Sequence, residues 1–345
     1  MLVLVLVLAA FVGIGFVEGI VIGIVAGLAV FAINYARLGV VRAQGGGRAF
    51  ASNVMRPSAQ ANRLEELADA VHVVRLQGYL FFGTAHRLLD QASTDLTKPR
   101  AIPLRFLVLD LGRVDGIDSS AFACLVRLVE QAESNGFEIL LAAVPAPVAR
   151  LLDAGGRSLA LATFADLDHC LEHVENRLLG LAGGNAPERQ ALEDELARAF
   201  PEPERRRRLL AYTRPVRWQA GETIIEQGAP SDEMYFFNQG RIIANLVLPD
   251  GGEVRVRTIL PGTVVGEVGC YLDVPRTLSL VAATAVEARA FDRAAIARLR
   301  AADPDLCADF HAWMARLIGE RLAHLTGHLA AEITGEGRAL SSPGS

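Results

Sequence analysis

The first 33 residues contain a single charged side chain, Glu18. This run constrains the fold more than any other stretch, because about 20 consecutive apolar residues suffice to cross the hydrocarbon core of a bilayer. The run exceeds one span and falls short of two. Gly13-Ile14-Gly15 interrupts it, so Phe16 to Ile33 (FVEGIVIGIVAGLAVFAI) reads as one full transmembrane helix and Met1 to Val12 as a partial or separate apolar helix. A secretory signal would need a basic start, and no Lys or Arg precedes the run. Arg37, Arg42 and Arg48 follow it. Positive charge stays on the cytoplasmic side, so the chain is expected in the inner (cytoplasmic) membrane with everything after residue 35 inside the cell. Gly15, Gly19, Gly23 and Gly27 recur at every fourth position. Such a ridge lets a second helix approach closely, although glycine is common in membrane helices generally. Glu18 calls for an interface or a protein neighbour.

The remaining length suits two further domains. Net charge is -5 and charged residues make up 21%, which gives no basic surface for nucleic acid. Cys124, Cys170, Cys270 and Cys307 are scattered without CxxC spacing, so neither a disulfide framework nor a thiolate metal site is expected. The predicted division is a membrane segment over 1–36, a linker and first strand over 37–60, an α/β domain over 61–178, a linker over 179–190, a β-roll with flanking α-helices over 191–335, and a disordered tail over 336–345.

In the α/β block, VHVVRLQGYLFF reads as one or two strands meeting at Gly78, and HRLLDQAS as a helix. FLVLDL is an apolar run of buried-strand type. SSAFACLVRLVEQAESNG is a helix capped by serine and ended by Gly136, and Phe137 to Val144 is another buried strand. Alternating strands and helices define an α/β fold. After LAGGNAPERQ the texture changes to short strands separated by turn residues (GETIIEQG, EMYFFNQG, RIIANLVLPDGG, EVRVRTILPG), the pattern of a small barrel or roll. Arg205 to Arg208 read as a solvated helix face, and Arg293 to about Glu332 as helical.

Within the roll lies VVGEVGCYLDVPRTLSLVA, residues 264–282. An acid, Glu267, follows a glycine, and an arginine, Arg276, follows a proline, both in apolar surroundings. A salt bridge between the two is one reading. A small anion held near both is the other: guanidinium meets phosphate with paired N–H donors, and first-turn N–H groups of Val268 and Gly269 favour negative charge. With the preceding strands, this stretch makes residues 188–335 resemble a cyclic nucleotide-binding domain of the catabolite-activator and kinase-regulatory type. The resemblance implies cAMP or cGMP as ligand. It implies that Gly266, Glu267, Val268, Gly269 and Arg276 cradle it, with Glu267 accepting the ribose 2′-hydroxyl and Thr277 or Ser279 adding a hydroxyl near the phosphate or base. Val265 stands where the family often has Phe, and Leu278 where it often has a small residue. Regulators of this type continue into a helix-turn-helix; here the sequence stops at Ser345, so no nucleic-acid partner is expected.

VLDLGRVDGIDSSAFACLVRLV gives a strand, a loop and a helix opening at Asp118-Ser119-Ser120, and resembles the STAS domain shared by anti-sigma-factor antagonists and sulfate transporters. By that resemblance Ser119 or Ser120 is a candidate phosphosite; as plain chemistry, Asp118 or Ser119 is a helix cap. A glycine-rich span followed by SNVMRP, GYLFFGTA and STAS resembles the carboxyl end of the SulP (sulfate permease) transporter family, some bacterial members of which append a cyclic nucleotide domain. The expected function is therefore the regulatory carboxyl-terminal part of an inorganic anion transporter, sulfate- or bicarbonate-like. It is not transport-competent alone, and its partners are the membrane, the remaining transporter membrane domain or a second copy, and the nucleotide. A membrane-tethered STAS partner switch, similar to the anti-sigma-factor antagonists and with a degenerate nucleotide domain, is the alternative. No GxSxG, HExxH or GxxxxGK[ST] motif is present, so no enzyme is expected. His169/His173 and His324/His328 are spaced four apart, but without a third ligand they read as surface histidines, not metal ligands.

Overall fold

A computed structural model describes residues 15–36, 40–81, 102–154, 161–181 and 188–340. Helix α1 (Phe16–Ala36) covers the apolar segment. Its side chains Val17, Ile20, Val21, Ile24, Val25 and Leu28 are 42–67% exposed and fall at three- and four-residue spacing along one face. Among the described residues no helix is long and apolar enough to cross a membrane. The transmembrane helix over Phe16–Ile33 therefore remains a sequence expectation, and Met1–Val12 lies outside the described residues.

The chain forms two compact units. Among the described residues, one comprises 15–36, 40–44, 73–81, 102–154, 161–165 and 335–340; the other comprises 45–72, 166–181 and 188–334. These units cut across the divisions read from sequence.

The first unit is built on a five-stranded sheet, order β1-β3-β4-β5-β6, from β1 (Val41–Gly46), β3 (Val71–Leu80), β4 (Phe106–Ile117), β5 (Glu138–Ala142) and β6 (Ala162–Phe164). β4, β5 and β6 run parallel. Sheets of this kind are covered on their faces, which is why β4 and β5 read as continuous apolar runs. Helix α3 (Ser119–Asn135) buries Ala121, Cys124, Leu128 and Ala132, one side of a 3.6-residue period. Its start is fixed by Asp118, whose carboxylate accepts from Ala121 N at 2.7 Å, and its end by Gly136 at φ +73°. Asp118, not Ser119, is thus the cap. VHVVRLQGYL forms one strand, with Gly78 at φ +73° inside it. The HRLLDQAS helix lies outside the described residues.

In the second unit, two sheets form the roll. One has the order β2-β11-β10-β13-β8 and the other β12-β9-β14-β7. The strands are β2 (Val54–Met55), β7 (Arg214–Trp218), β8 (Thr223–Ile225), β9 (Glu233–Gln239), β10 (Ile242–Val247), β11 (Glu253–Ile259), β12 (Val264–Val265), β13 (Ser279–Ala282) and β14 (Val286–Asp292). The stretch read as a linker and first strand, 37–60, holds β1 and β2, and β2 pairs in parallel with β11. Tyr235, Phe237, Ile242, Val265, Leu280 and Ala288 fill the roll. A second core of Phe200, Phe236, Phe291, Phe310, Trp313 and Met314 joins it to the flanking helices. Helix α10 (Pro304–Leu340) continues through 336–340, which corrects part of the disordered-tail reading.

Arg205 to Arg208 are also more than a solvated face. Arg205 pairs with Asp309, Arg206 donates to the carbonyls of Phe200 and Pro201, and Arg208 pairs with Asp303. Only Arg207 is confined to its own helix, bonded to Glu204.

Helix α5 (Leu167–Leu181) belongs to this unit too, through an ionic face. Glu172 accepts from Arg241 of the β9–β10 turn at 2.7 Å and from Arg255 of β11 at 2.9 Å. Asp168 accepts from Asn53 N, and Glu175 from Ser52 N and Oγ and from Arg56.

Candidate functional site

The segment 264–282 folds into strand β12, a short helix α8 (Glu267–Leu272), a turn and strand β13. Gly266 sits at φ +81°, a backbone state open to glycine with little cost, and turns the chain from β12 into α8. Glu267 is 4% exposed and Arg276 8%. They do not bond each other, so the direct salt bridge is not the arrangement observed. Arg276 Nη1 donates to Gly266 O at 2.9 Å and Nη2 to Glu233 O at 2.5 Å. A guanidinium has five N–H donors, so these two bonds orient the group and leave donors for a ligand. The backbone of Arg276 is pinned as well: its N–H donates to Ala229 O, and its O accepts from Gly228 N.

Gly269 is buried against Ser231, and a Cβ on it would lie 2.8 Å from Ser231 Cβ. Val268 is 44% exposed and Thr277 is exposed. Ser279 is buried, and its Oγ accepts from Gln227 N at 3.0 Å. The structure thus gathers Gly266, Glu267, Gly269 and Arg276 around one short helix. Ser279 braces the neighbouring turn, and Thr277 faces solvent.

Two residues that the sequence reading did not single out join them. Glu267 Oε1 accepts from Arg321 of α10, and Arg321 Nη2 donates to Val264 O at 2.7 Å. Arg257 of β11 is half-buried. Burial pushes its pKa below the usual guanidinium value, the charge of Arg321 adds to this, and Glu267 opposes it. Neither cation belongs to a local motif: one lies in a strand read only as one of the short strands of the roll, the other 54 residues after Glu267.

A cavity of about 240 Å³ is lined by Arg276 together with Ile224, Glu226, Asp232, Glu233, Tyr235 and Asp292 among others. Its four carboxylates disfavour an anion, and Arg276 is the cation that faces them. Burial, helped by the adjacent Glu233 carboxylate, raises the pKa of the Tyr235 hydroxyl, which donates to Glu233. Of the histidines, His169 bonds Asp166 and faces Arg255 at 2.9 Å; the side chains of His324 and His328 lie outside the described residues. Ser119 is exposed and Ser120 half-buried.

Comparison with known proteins places two families on this geometry. Residues 215–303 match the cyclic nucleotide-binding domain and residues 64–170 the STAS domain. The chain therefore carries both domains. Among curated relatives, it is 28% identical over 175 residues to the vacuolar basic amino acid transporter VSB1 of Saccharomyces cerevisiae, covering 48% of this chain and 17% of that one. It is 28% identical over 122 residues to a CRP-like cAMP-activated global transcriptional regulator of Mycobacterium tuberculosis, covering 35% and 53%. It is 25% identical over 265 residues to Glutaminase 2 of Bradyrhizobium diazoefficiens, covering 75% and 41%. In each case the chain spans less than two thirds of the relative's own length. Among solved structures, the N-terminal domain of a transcriptional regulator from Streptomyces coelicolor aligns with 23% identity and a TM-score of 0.34, covering 38% of this chain and 94% of that one.

Proposed function

We propose that this chain is the regulatory part of a SulP-type inorganic anion transporter, in which the roll senses cAMP or cGMP and the STAS domain couples that signal to the membrane part. The observation that carries the reading is the buried Arg276, aimed by two carbonyls at the start of the Gly266–Glu267 helix inside the segment that matches the nucleotide-binding family. The cAMP-activated regulator among the relatives favours cAMP. The apolar run at the start, the exposed apolar face of α1 and the transporter among the relatives support a membrane-attached role at the inner membrane, through a transporter membrane domain or a second copy. The glutaminase alignment is too long to avoid either matched domain. Its breadth supports reading the STAS–nucleotide pair as a portable regulator, not as the catalyst.

The test is calorimetric titration of the full chain with cAMP and with cGMP, repeated on Arg276→Ala. Saturable heat lost in the variant supports sensing; equal, negligible heats for both proteins refute it. Membrane attachment is tested by liposome flotation of the full chain against a chain lacking residues 1–36. Flotation of both, or of neither, refutes it.

The partner-switch reading draws on the exposed Ser119 at the start of α3, where a phosphate would meet the helix dipole favourably. It predicts a kinase-dependent change in partner binding that Ser119→Ala abolishes.

A further inference from the structure

The chain between strands β1 and β3 does not stay with the sheet it connects. β1 and β3 are neighbours in the five-stranded sheet, yet residues 52–57 run along the roll. Asn53 O accepts from Thr258 N at 3.1 Å and Met55 O from Leu260 N at 3.0 Å, so β2 takes the outer place beside β11. Met55 reaches the core of the roll. On its other edge β11 pairs with β10, through a β-bulge between Arg255 and Arg257. Two residues of ladder are too few to hold a strand alone. Side chains of α5 supply the rest. Glu175 accepts from Ser52 N at 2.6 Å and pairs with Arg56 at 3.0 Å, both side chains largely out of water. Asp168 accepts from Asn53 N at 2.6 Å. The same helix holds β11 through Glu172 and Arg255, so α5 pins β2 and its partner strand together.

The added strand ends beside the loop that leads to the nucleotide segment. Pro57 lies against Gly262, where a Cβ would stand 2.9 Å from Pro57 Cγ and 3.0 Å from Ala191 Cβ of helix α6 (Glu188–Ala199). Gly262 is at φ +88°, four residues before Gly266. The loop from Leu260 to Thr263 is thus clamped from two sides. Strand β9 holds one side, with Gly262 N donating to Phe237 O and Phe237 N to Thr263 O. Residues 52–57 hold the other. β12, which carries the loop into Gly266, has only two residues, so the turn depends on this clamp for its position.

We propose that residues 52–57 are a strap through which the roll reports to the five-stranded sheet: its pairing with β11 and the binding of nucleotide stabilise each other. The inference rests on the nucleotide-sensing reading of the roll. Three physical points support it. A ligand at Gly266–Gly269 needs the loop ordered, and a loop that the strap has already ordered costs the ligand less. Coupling between two sites is reciprocal, so nucleotide must tighten the strap in turn. The strap can also leave as a unit: Arg56 and Glu175 return to water together, and neither charge is left buried without its partner. Residues 52–57 follow β1 and lead through α2 (Ser58–Glu66) to β3, so attachment or release acts on the ends of two adjacent strands.

Single-amide hydrogen exchange and calorimetry on the full chain test this. The amides of Thr258 and Leu260 report the strap, and Ile259, paired with Ile242 of β10, reports the roll. Glu175→Gln removes the charged acceptor of Ser52 and Arg56. Asn53→Pro removes the N–H that Asp168 takes and keeps the carbonyl. Both variants should speed exchange at 258 and 260 more than at 259, and should weaken cAMP binding about fivefold, with cGMP in its place if that is what the wild type binds. In the wild type, nucleotide should slow the same two amides. Faster exchange with wild-type affinity overturns the coupling and leaves sensing intact. Unchanged exchange in both variants overturns the pinning by α5, and the strap with it. No heat from the wild type with either nucleotide overturns sensing, and the coupling falls with it.

Discussion

Arg276 Nη1 donates to the carbonyl of Gly266 at 2.9 Å, and a Cβ on Gly266 would stand 2.5 Å from that same nitrogen. The glycine and the arginine are therefore one device. The bare backbone at 266 lets the guanidinium lie against the turn it braces, and the turn gives α8 its starting direction. Gly266→Ala should act twice. A side chain at φ +81° costs about 1–2 kcal/mol, and the methyl pushes the guanidinium off its carbonyl. Thermal denaturation should show that loss, and calorimetry should show cAMP affinity falling by more than the stability change accounts for. Unchanged affinity in a folded Gly266→Ala protein would separate Arg276 from the ligand.

Replacing the arginine itself distinguishes its charge from its fork. Arg276→Ala strips partners from two carbonyls, at about 1–3 kcal/mol for each group left buried and unsatisfied, and should abolish nucleotide binding. Arg276→Lys keeps a cation but cannot bond both Gly266 O and Glu233 O with fixed planar geometry. It should recover part of the stability and little of the affinity. Full recovery of binding by lysine would mean that charge alone is recognised.

What was legible in the sequence follows the range of each interaction. Gly266, Glu267 and Arg276 lie within eleven consecutive residues, so one short stretch carried the resemblance that implied their convergence. The cap at Asp118 and the stop at Gly136 are equally local. Arg257 and Arg321 could not be read this way. One is aimed by a bulge that depends on its partner strand, and the other arrives from a distant helix. The same holds for α5, whose acidic side chains meet Arg241 and Arg255 far along the chain, and for the pairing of the two-residue strand β2 with the distant β11. The arginine run at 205–208 looked solvated because its acidic partners Asp303 and Asp309 lie about 100 residues away.

The close approach of α8 to the loop before β9 gives a second-site test. Ser231 Oγ is buried without a hydrogen-bond partner, and a Cβ on Gly269 would collide first with that Oγ and also with Ser231 Cβ at 2.8 Å. Gly269→Ala should destabilise the fold by about 1–3 kcal/mol through overpacking. Ser231→Ala should be neutral or mildly stabilising, since it removes an unsatisfied hydroxyl, and it should rescue Gly269→Ala only in part, because the Oγ clash goes and the Cβ clash remains. Ser231→Gly should rescue it. A double-mutant cycle by thermal denaturation measures the coupling; additive losses in Gly269→Ala/Ser231→Gly would contradict the contact.

The attachment of α5 to the roll should be sensitive to acid. Burial pushes the Glu172 carboxyl up, but hydrogen bonds and charge from Arg255 and Arg241 outweigh it, and its pKa lies below the ordinary 4.5. A carboxyl with a lowered pKa in the folded state contributes stability that is complete above its unfolded value and is lost as pH falls through the folded one. Glu172→Gln should therefore cost about 1–2 kcal/mol near neutral pH, a range set by the partial exposure of both arginines. The gap to the wild type should begin to close below about pH 4.5 as the wild-type carboxylate takes up its proton. Melting temperatures of the two proteins measured from neutral to acid pH check this. A gap of constant size across that range would mean that Glu172 is held by packing and not by its charge.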